Sequence, residues 1–112
     1  MDEATTARFR DRLEAMLAAL TEEDRATAVD RAPVELDQTS VGRLSRMDAL
    51  QVQAMAEAQS RRRVAEKARI RAALARMSED EFGWCQDCGE AIGTARLELD
   101  PAAPFCVDCA RG

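Results

Sequence analysis

The amino-acid sequence predicts a mainly α protein, an antiparallel two-helix coiled-coil hairpin followed by a small finger built on four cysteines. Three observations support this prediction: an amphipathic pattern early in the chain, a second long pattern without Gly or Pro, and two Cys-x-x-Cys pairs near the end. We expect the hairpin within residues 1–80, with its tip loop at about 28–43, and the finger within residues 81–112.

The first predicted helix covers residues 3–27. Its apolar side chains recur at helical spacing, with charged residues between them and no Gly or Pro. These side chains are Phe9, Leu13, Met16, Leu17 and Leu20. Residues 28–43 break the pattern with turn-favouring residues such as Pro33 and Gly42, so we expect them to form the loop at the hairpin tip.

A second helix is predicted from about Leu44 to about Met77, with Ser40 or Ser45 as its N-cap. Small and apolar residues repeat along it in steps of three, four or seven, a spacing that lets a partner helix approach closely. This alanine seam consists of Met47, Ala54, Ala58, Ala65, Ala68, Ala72 and Ala75. We expect the first helix to pack against it.

Charge is distributed unevenly along the chain, although the net charge is only −5. Residues 1–40 carry a net −5, residues 41–80 a net +4 and residues 81–112 a net −4. A hairpin sets the acidic first helix beside the basic second helix, where opposite charges attract. The alternative is that the helices pair with a second copy of the chain, but we expect a monomer.

The composition argues against membrane proteins and enzymes. No run approaches about 18 consecutive apolar residues, and the first residues lack the basic flank of a signal peptide, so we expect a cytoplasmic protein without a membrane span. The chain has no His, no Gly-rich phosphate loop and no serine nucleophile elbow, so we do not expect an enzyme.

The two cysteine pairs predict a metal site. Cys85 and Cys88 are followed, after 17 residues, by Cys106 and Cys109. Two intervening residues let both thiolates of a pair turn toward one point, and Gly89 can adopt the left-handed conformation that such a knuckle often needs. Four thiolates suit tetrahedral zinc and leave no position for a catalytic water, so we predict one structural Zn²⁺. A redox pair, which leaves the second pair unexplained, and an iron–sulfur centre are the alternatives.

The charge of the finger favours a protein partner over nucleic acid. Four thiolates around one divalent cation add −2 to an already acidic segment, which phosphate would repel. The basic run Arg61–Arg71 could bind nucleic acid instead, or it could be a solvated face that attracts the acidic first helix.

The finger resembles the DksA/TraR zinc-finger family. The resemblance is carried by the segment Phe82–Gly93, which reads FGWCQDCGEAIG, and by Arg96-Leu97, Pro101 and Cys106–Cys109. It covers about the last third of the chain, while the preceding helices agree mainly in architecture.

This resemblance implies a bacterial transcription regulator that binds RNA polymerase without binding DNA directly. Members of the family insert a coiled-coil hairpin into the secondary channel of the polymerase and place acidic tip residues near the active-site magnesium. Some act together with the alarmone ppGpp. The alternative is an adaptor unrelated to polymerase, whose finger and helices bind another protein and which associates through the alanine seam.

The family's tip motif, Asp-x-x-Asp-x-Ala, is matched only partly. Asp30 and Ala32 fit its second half, but Thr27 stands in place of the first Asp. Asp37 and Asp48 are further tip candidates, and Asp48 lies nearer the expected distance from the finger. Each of these acids could instead cap a helix or lie in a solvated turn.

Overall fold

The computed structural model describes residues 1–28 and 43–112, which contain four helices. They are α1 (Glu3–Ala26), α2 (Arg43–Ser78), α3 (Thr94–Leu99) and α4 (Val107–Arg111). Helices α1 and α2 pack against each other, and α3 and α4 belong to the finger. The predicted mainly α fold, a two-helix hairpin followed by a finger, is confirmed.

Helix α1 begins and ends within one residue of its predicted bounds. Asp2 caps it, because its Oδ1 accepts a hydrogen bond from the backbone N–H of Thr5 at 2.7 Å. Glu3 adds a negative charge to the first turn, where the helix dipole favours it. At the other end, Thr27 donates its backbone N–H to the carbonyl of Glu23 at 3.0 Å.

Helix α2 contains 36 residues and begins at Arg43. Ser45 therefore lies inside the helix, and its prediction as the N-cap is wrong, because a cap has non-helical backbone angles; Ser40 lies outside the described residues. The helix is followed by Asp80 with φ 58°, the left-handed conformation that stops helices. None of the helices in the described parts of the chain is long and apolar enough to cross a membrane.

The alanine seam of α2 does not face α1, so this prediction is wrong. Met47 is 57% exposed, and of the six alanines only Ala58 is even partly buried. The face toward α1 carries Ile70 and Met77, whose larger side chains bury more apolar area than alanines can. The alanines lie on the outer face of α2, where they favour the helix because alanine has the highest intrinsic helix propensity.

One apolar core joins the base of the hairpin to the finger. Its buried members come from α1, α2 and the finger: Phe9, Leu13, Ile70, Ala73, Met77, Phe82, Cys85, Ile92, Leu97 and Ala102. The rings of Phe9 and Phe82 lie 5.9 Å apart between centroids. The core includes residues on both sides of the predicted boundary between hairpin and finger. The division between residues 80 and 81 therefore stays a proposal.

The end of α1 lies beside a cluster of charged side chains on α2. Asp24 accepts hydrogen bonds from Arg63 Nε at 2.6 Å and from Lys67 Nζ at 2.5 Å. Arg63 also donates to Thr27 Oγ1 at 3.1 Å. Its side chain is only 8% exposed, so these partners replace water around the charge. The hydrogen bonds from Lys67 and Arg63 lower the pKa of Asp24 to about 2.

Acid should weaken the hairpin through Asp24. A carboxyl whose pKa falls from 3.8 to about 2 on folding stabilises the fold above its unfolded value and loses this effect as the pH falls toward 2. We expect the difference in free energy of unfolding between the wild type and Asp24→Asn, measured in urea, to shrink between about pH 4 and pH 2. The zinc content of both proteins is measured at each pH, so that the difference is taken between proteins in the same metal state. A difference independent of pH would contradict the prediction, and exposed Asp11→Asn is the control.

Truncation of the shared core should be costly. Leu13 is fully buried, so we expect Leu13→Ala to lower the free energy of unfolding by about 2–5 kcal/mol. Leu99 is 88% exposed, and the same truncation there should change it by less than about 0.5 kcal/mol. Urea unfolding followed by circular dichroism measures both variants. Equal losses would show that Leu13 is not a core residue.

Candidate metal centre

The first cysteine pair lies in a tight turn built by backbone hydrogen bonds. The Gly89 N–H donates to the carbonyl of Cys85 at 3.0 Å, and the Cys85 N–H donates to the carbonyl of Glu90 at 2.7 Å. Gly89 has φ +78°, as predicted, a conformation in which any Cβ would be strained. This turn directs the side chains of Cys85 and Cys88 toward the same side.

The second pair uses the start of α4. Cys106 is the N-cap of this helix, and its Sγ accepts a hydrogen bond from the Cys109 N–H at 3.5 Å. Cys109 therefore lies one turn into the helix, on the side of the cap. The Ala110 N–H closes the turn on the Cys106 carbonyl at 2.9 Å.

Backbone contacts bring the two pairs together. The Gln86 N–H donates to the carbonyl of Pro104 at 2.8 Å, which links the first pair to the segment before the second. The four Sγ atoms all lie within 4.8 Å of one another. Cys88 Sγ and Cys106 Sγ are 3.8 Å apart, far beyond a disulfide bond. With Zn–S bonds of about 2.3 Å, tetrahedral geometry separates two sulfurs by about 3.8 Å, so the arrangement fits zinc.

The electrostatics of the four thiols favour a bound cation. The neighbouring Cys106 thiol, followed by those of Cys88 and Cys85, raises the pKa of Cys109. In contrast, the backbone N–H of Cys88 lowers the pKa of Cys85 to about 6. Four ionised sulfurs repel one another at this distance, and a divalent cation replaces that repulsion with attraction.

The donor set and the packing indicate a structural role for the metal. Cys85 is buried, Cys106 and Cys109 are partly buried, and Cys88 is exposed. Four thiolates complete the coordination of one Zn²⁺ and leave no open position for substrate or water. The site therefore closes the finger, and its metal contributes to folding rather than to catalysis.

The remaining predicted site residues lie apart from the metal centre. Asp48 is exposed in the second turn of α2, toward the end of the hairpin far from the finger. The tip candidates Asp30, Ala32 and Asp37 fall outside the described residues.

The basic run Arg61–Arg71 is divided by the helix into two sets. Arg63 and Lys67 point toward α1, and Arg69 pairs with Glu66 and Asp100. Arg61, Arg62 and Arg71 are exposed. Arg63 and Lys67 therefore agree with the hypothesis that basic residues of this run attract the acidic first helix.

Sequence reasoning missed a set of ion pairs between the finger and the hairpin. Arg8 and Arg12 of α1 contact Glu98, and Arg69 of α2 contacts Asp100; we call these five residues the ionic clamp. Its partners are 31 to 90 positions apart, so no local pattern indicates them. The opposite charge of the finger and the second helix is a signal for the Arg69 pair alone, since Arg8 and Arg12 belong to the acidic first helix.

A helical hairpin joined to a closed four-thiolate site defines a small structural zinc-finger protein, and comparisons with known proteins agree. Residues 80–112 match the family model described as the prokaryotic dksA/traR C4-type zinc finger. The chain is 31% identical over 112 residues to the RNA polymerase-binding transcription factor DksA of Escherichia coli (strain K12), covering 97% of this chain and 71% of that protein. The factor of the same name from Haemophilus influenzae is 49% identical over 41 residues, 37% of this chain and 28% of that protein.

A solved structure supports the same relationship. The transcription factor DksA2 from Pseudomonas aeruginosa matches with a TM-score of 0.78 and 26% identity, over 98% of this chain and 83% of that one. The chain therefore belongs to the DksA/TraR family of C4 zinc-finger proteins. The relationship includes the hairpin, since the Escherichia coli match extends far beyond the finger.

Metal analysis should find one zinc ion per chain. Cys85→Ser and Cys109→Ser should each abolish stoichiometric zinc binding, because three thiolates leave the tetrahedral site incomplete. Elemental analysis after dialysis, with thiol titration, measures both effects. Asp108→Asn, which changes an exposed acid between two ligands, should keep one zinc per chain. Full zinc content in either cysteine variant would contradict this ligand set.

Proposed function

We propose that this chain is a transcription regulator that binds RNA polymerase and is not an enzyme. The observation that carries the proposal is the match, over 97% of the chain, to a factor whose name states that it binds RNA polymerase. The closed zinc site supports a binding role, because it offers no position for catalysis. Such a protein acts in the cytoplasm, where bacterial polymerase works.

The shape of the hairpin supports insertion of its tip into the secondary channel. The molecule measures 64 × 30 × 20 Å along its principal axes. Arg63 of α2 lies beside the end of α1. From Arg63 toward its own N-terminus, α2 continues for about 20 residues, which is ~30 Å at 1.5 Å per residue. This length lets the hairpin tip reach into a partner while the finger stays outside.

Acidic residues are proposed to act at the tip, beside the magnesium ion of the polymerase. Carboxylate oxygens are preferred ligands of magnesium and can also bind the basic groups around it. Asp48 is the candidate that the described part of the chain supports, because it is exposed near the start of α2. Asp30, Ala32 and Asp37 remain proposed members of the same tip.

We do not propose direct, sequence-specific DNA binding. Three basic residues of the Arg61–Arg71 run are engaged in ion pairs: Arg63, Lys67 and Arg69. Exposed Asp87 and Asp108 lie between the zinc ligands and would repel phosphate. We propose that the protein binds as a monomer and that any response to ppGpp arises at its interface with polymerase.

The zinc-loaded chain should bind core RNA polymerase at micromolar concentration in a pull-down assay and alter promoter transcription. We expect Asp48→Asn to retain binding but to reduce the transcriptional effect about tenfold, or ~1.4 kcal/mol, because the tip loses a charge facing the active site. Asp30→Asn and Asp37→Asn test the other tip acids.

Exposed Asp11→Asn, on the opposite helix near the finger, is the control and should keep the full effect. Absence of polymerase binding by the wild type would overturn the proposed function. In that case a zinc-stapled adaptor would remain, and its association with a second copy could be tested by light scattering.

A further inference from the structure

We propose that the ionic clamp holds the finger in one orientation on the hairpin, so that a partner meets the two as one rigid surface. The statement that a partner meets one rigid surface rests on the proposed function. The statement that the finger has one orientation concerns only this chain and is supported by the contacts of the clamp.

The clamp fixes the end of α3 from two directions. Arg8 donates to both carboxylate oxygens of Glu98, at 2.5 and 3.2 Å, and Arg12 donates to the Glu98 backbone carbonyl at 2.6 Å. From the other helix, Arg69 donates to Asp100 at 2.6 Å. Both α1 and α2 therefore contact the C-terminal end of α3, at Glu98 within the helix and at Asp100, its C-cap residue.

Helix α3 depends on such external contacts. It has only six residues, and its N-cap, Gly93, makes no side-chain cap hydrogen bond. A helix this short is not stable alone. Leu97 is its one buried residue, and the apolar core also holds the chain on both sides of α3, through Ile92 before it and Ala102 after it. The clamp adds directional polar contacts to this packing at the C-terminal end of α3.

Helix α3 also connects the clamp to the metal site. Arg96 Nε donates to the carbonyl of Phe105 at 2.8 Å, immediately before Cys106. The segment that contains α3 runs from the first cysteine pair to the second. An orientation imposed on α3 is therefore passed to both pairs of zinc ligands.

The chemistry of the clamp suits orientation better than stability. The Arg8 and Glu98 side chains are 53% and 44% exposed, and ion pairs with such exposure add little to the free energy of folding. A two-point arginine–carboxylate contact nevertheless restricts geometry, whereas burial of apolar surface has no preferred direction. Loss of the clamp should thus increase motion of the finger with little loss of stability.

Trp84, the single tryptophan of the chain, lies in the finger and is 50% exposed, so its fluorescence anisotropy decay reports finger motion without labelling. In the zinc-loaded wild type it should decay with the tumbling of the whole molecule. The double variant Glu98→Ala/Asp100→Asn should add a faster component while keeping one zinc per chain. The matched control, Glu90→Ala/Asp108→Asn, removes the same charge from exposed acids outside the clamp and should behave as the wild type.

Salt provides an independent test on the unmodified protein. At 1 M salt, where the screening length is about 3 Å, the wild type should acquire part of the faster component. An anisotropy decay of the clamp variant identical to that of the wild type would overturn the proposed orientation, whatever happens to the melting temperature.

Polymerase affinity tests separately whether the orientation of the finger contributes to partner binding. If polymerase contacts finger and hairpin together, the clamp variant should bind about tenfold more weakly than the control variant, because loose linkage lowers the effective concentration of the second contact. Equal affinity, with faster finger motion, would overturn the role in partner binding. If the wild type fails to bind polymerase, the proposed function falls, and the anisotropy result still decides the orientation.

Discussion

The convergence of four cysteine sulfurs within 4.8 Å is the constraint on which the rest of the structure depends. Ionised thiolates at this distance repel one another, so the finger adopts this arrangement with a cation between them. The consequences extend beyond the finger, because Phe82 and Leu97 share one core with Phe9 and Leu13 of α1. The metal that closes the finger thereby also supports the base of the hairpin.

Helices α1 and α2 contact each other through different interactions at the two ends of α1. Near the finger α1 and α2 meet through apolar side chains, whereas at the end of α1 they meet through Asp24, Arg63 and Lys67. A nearly buried arginine is weak evidence for added stability, but a shift of α1 along α2 would leave its charge unpaired. The charged cluster therefore favours one register, and apolar packing then acts within that register.

Local patterns predicted the parts of the structure that depend on neighbouring residues. The bounds of α1 follow from its apolar periodicity, those of α2 follow from a long run without Gly or Pro after Gly42, and the zinc site follows from the spacing of four cysteines. The face of α2 that meets α1 was predicted wrongly because alanine is favoured both in close helix packing and on exposed helix surfaces. The ionic clamp had no local pattern at all, since folding brings its distant partners together.

The folded arrangement of charge differs from the sum along the sequence. Arginines of the hairpin form ion pairs with Glu98 and Asp100, whereas Asp87, Glu90 and Asp108 remain exposed around the cysteine pairs. The basic helix α2 likewise turns part of its charge inward and exposes arginines such as those at positions 61, 62 and 71. The molecule thus presents an acidic end at the metal site and a basic stretch along α2. A nucleic acid, uniformly negative, would be attracted to one and repelled by the other, whereas a protein surface can match both.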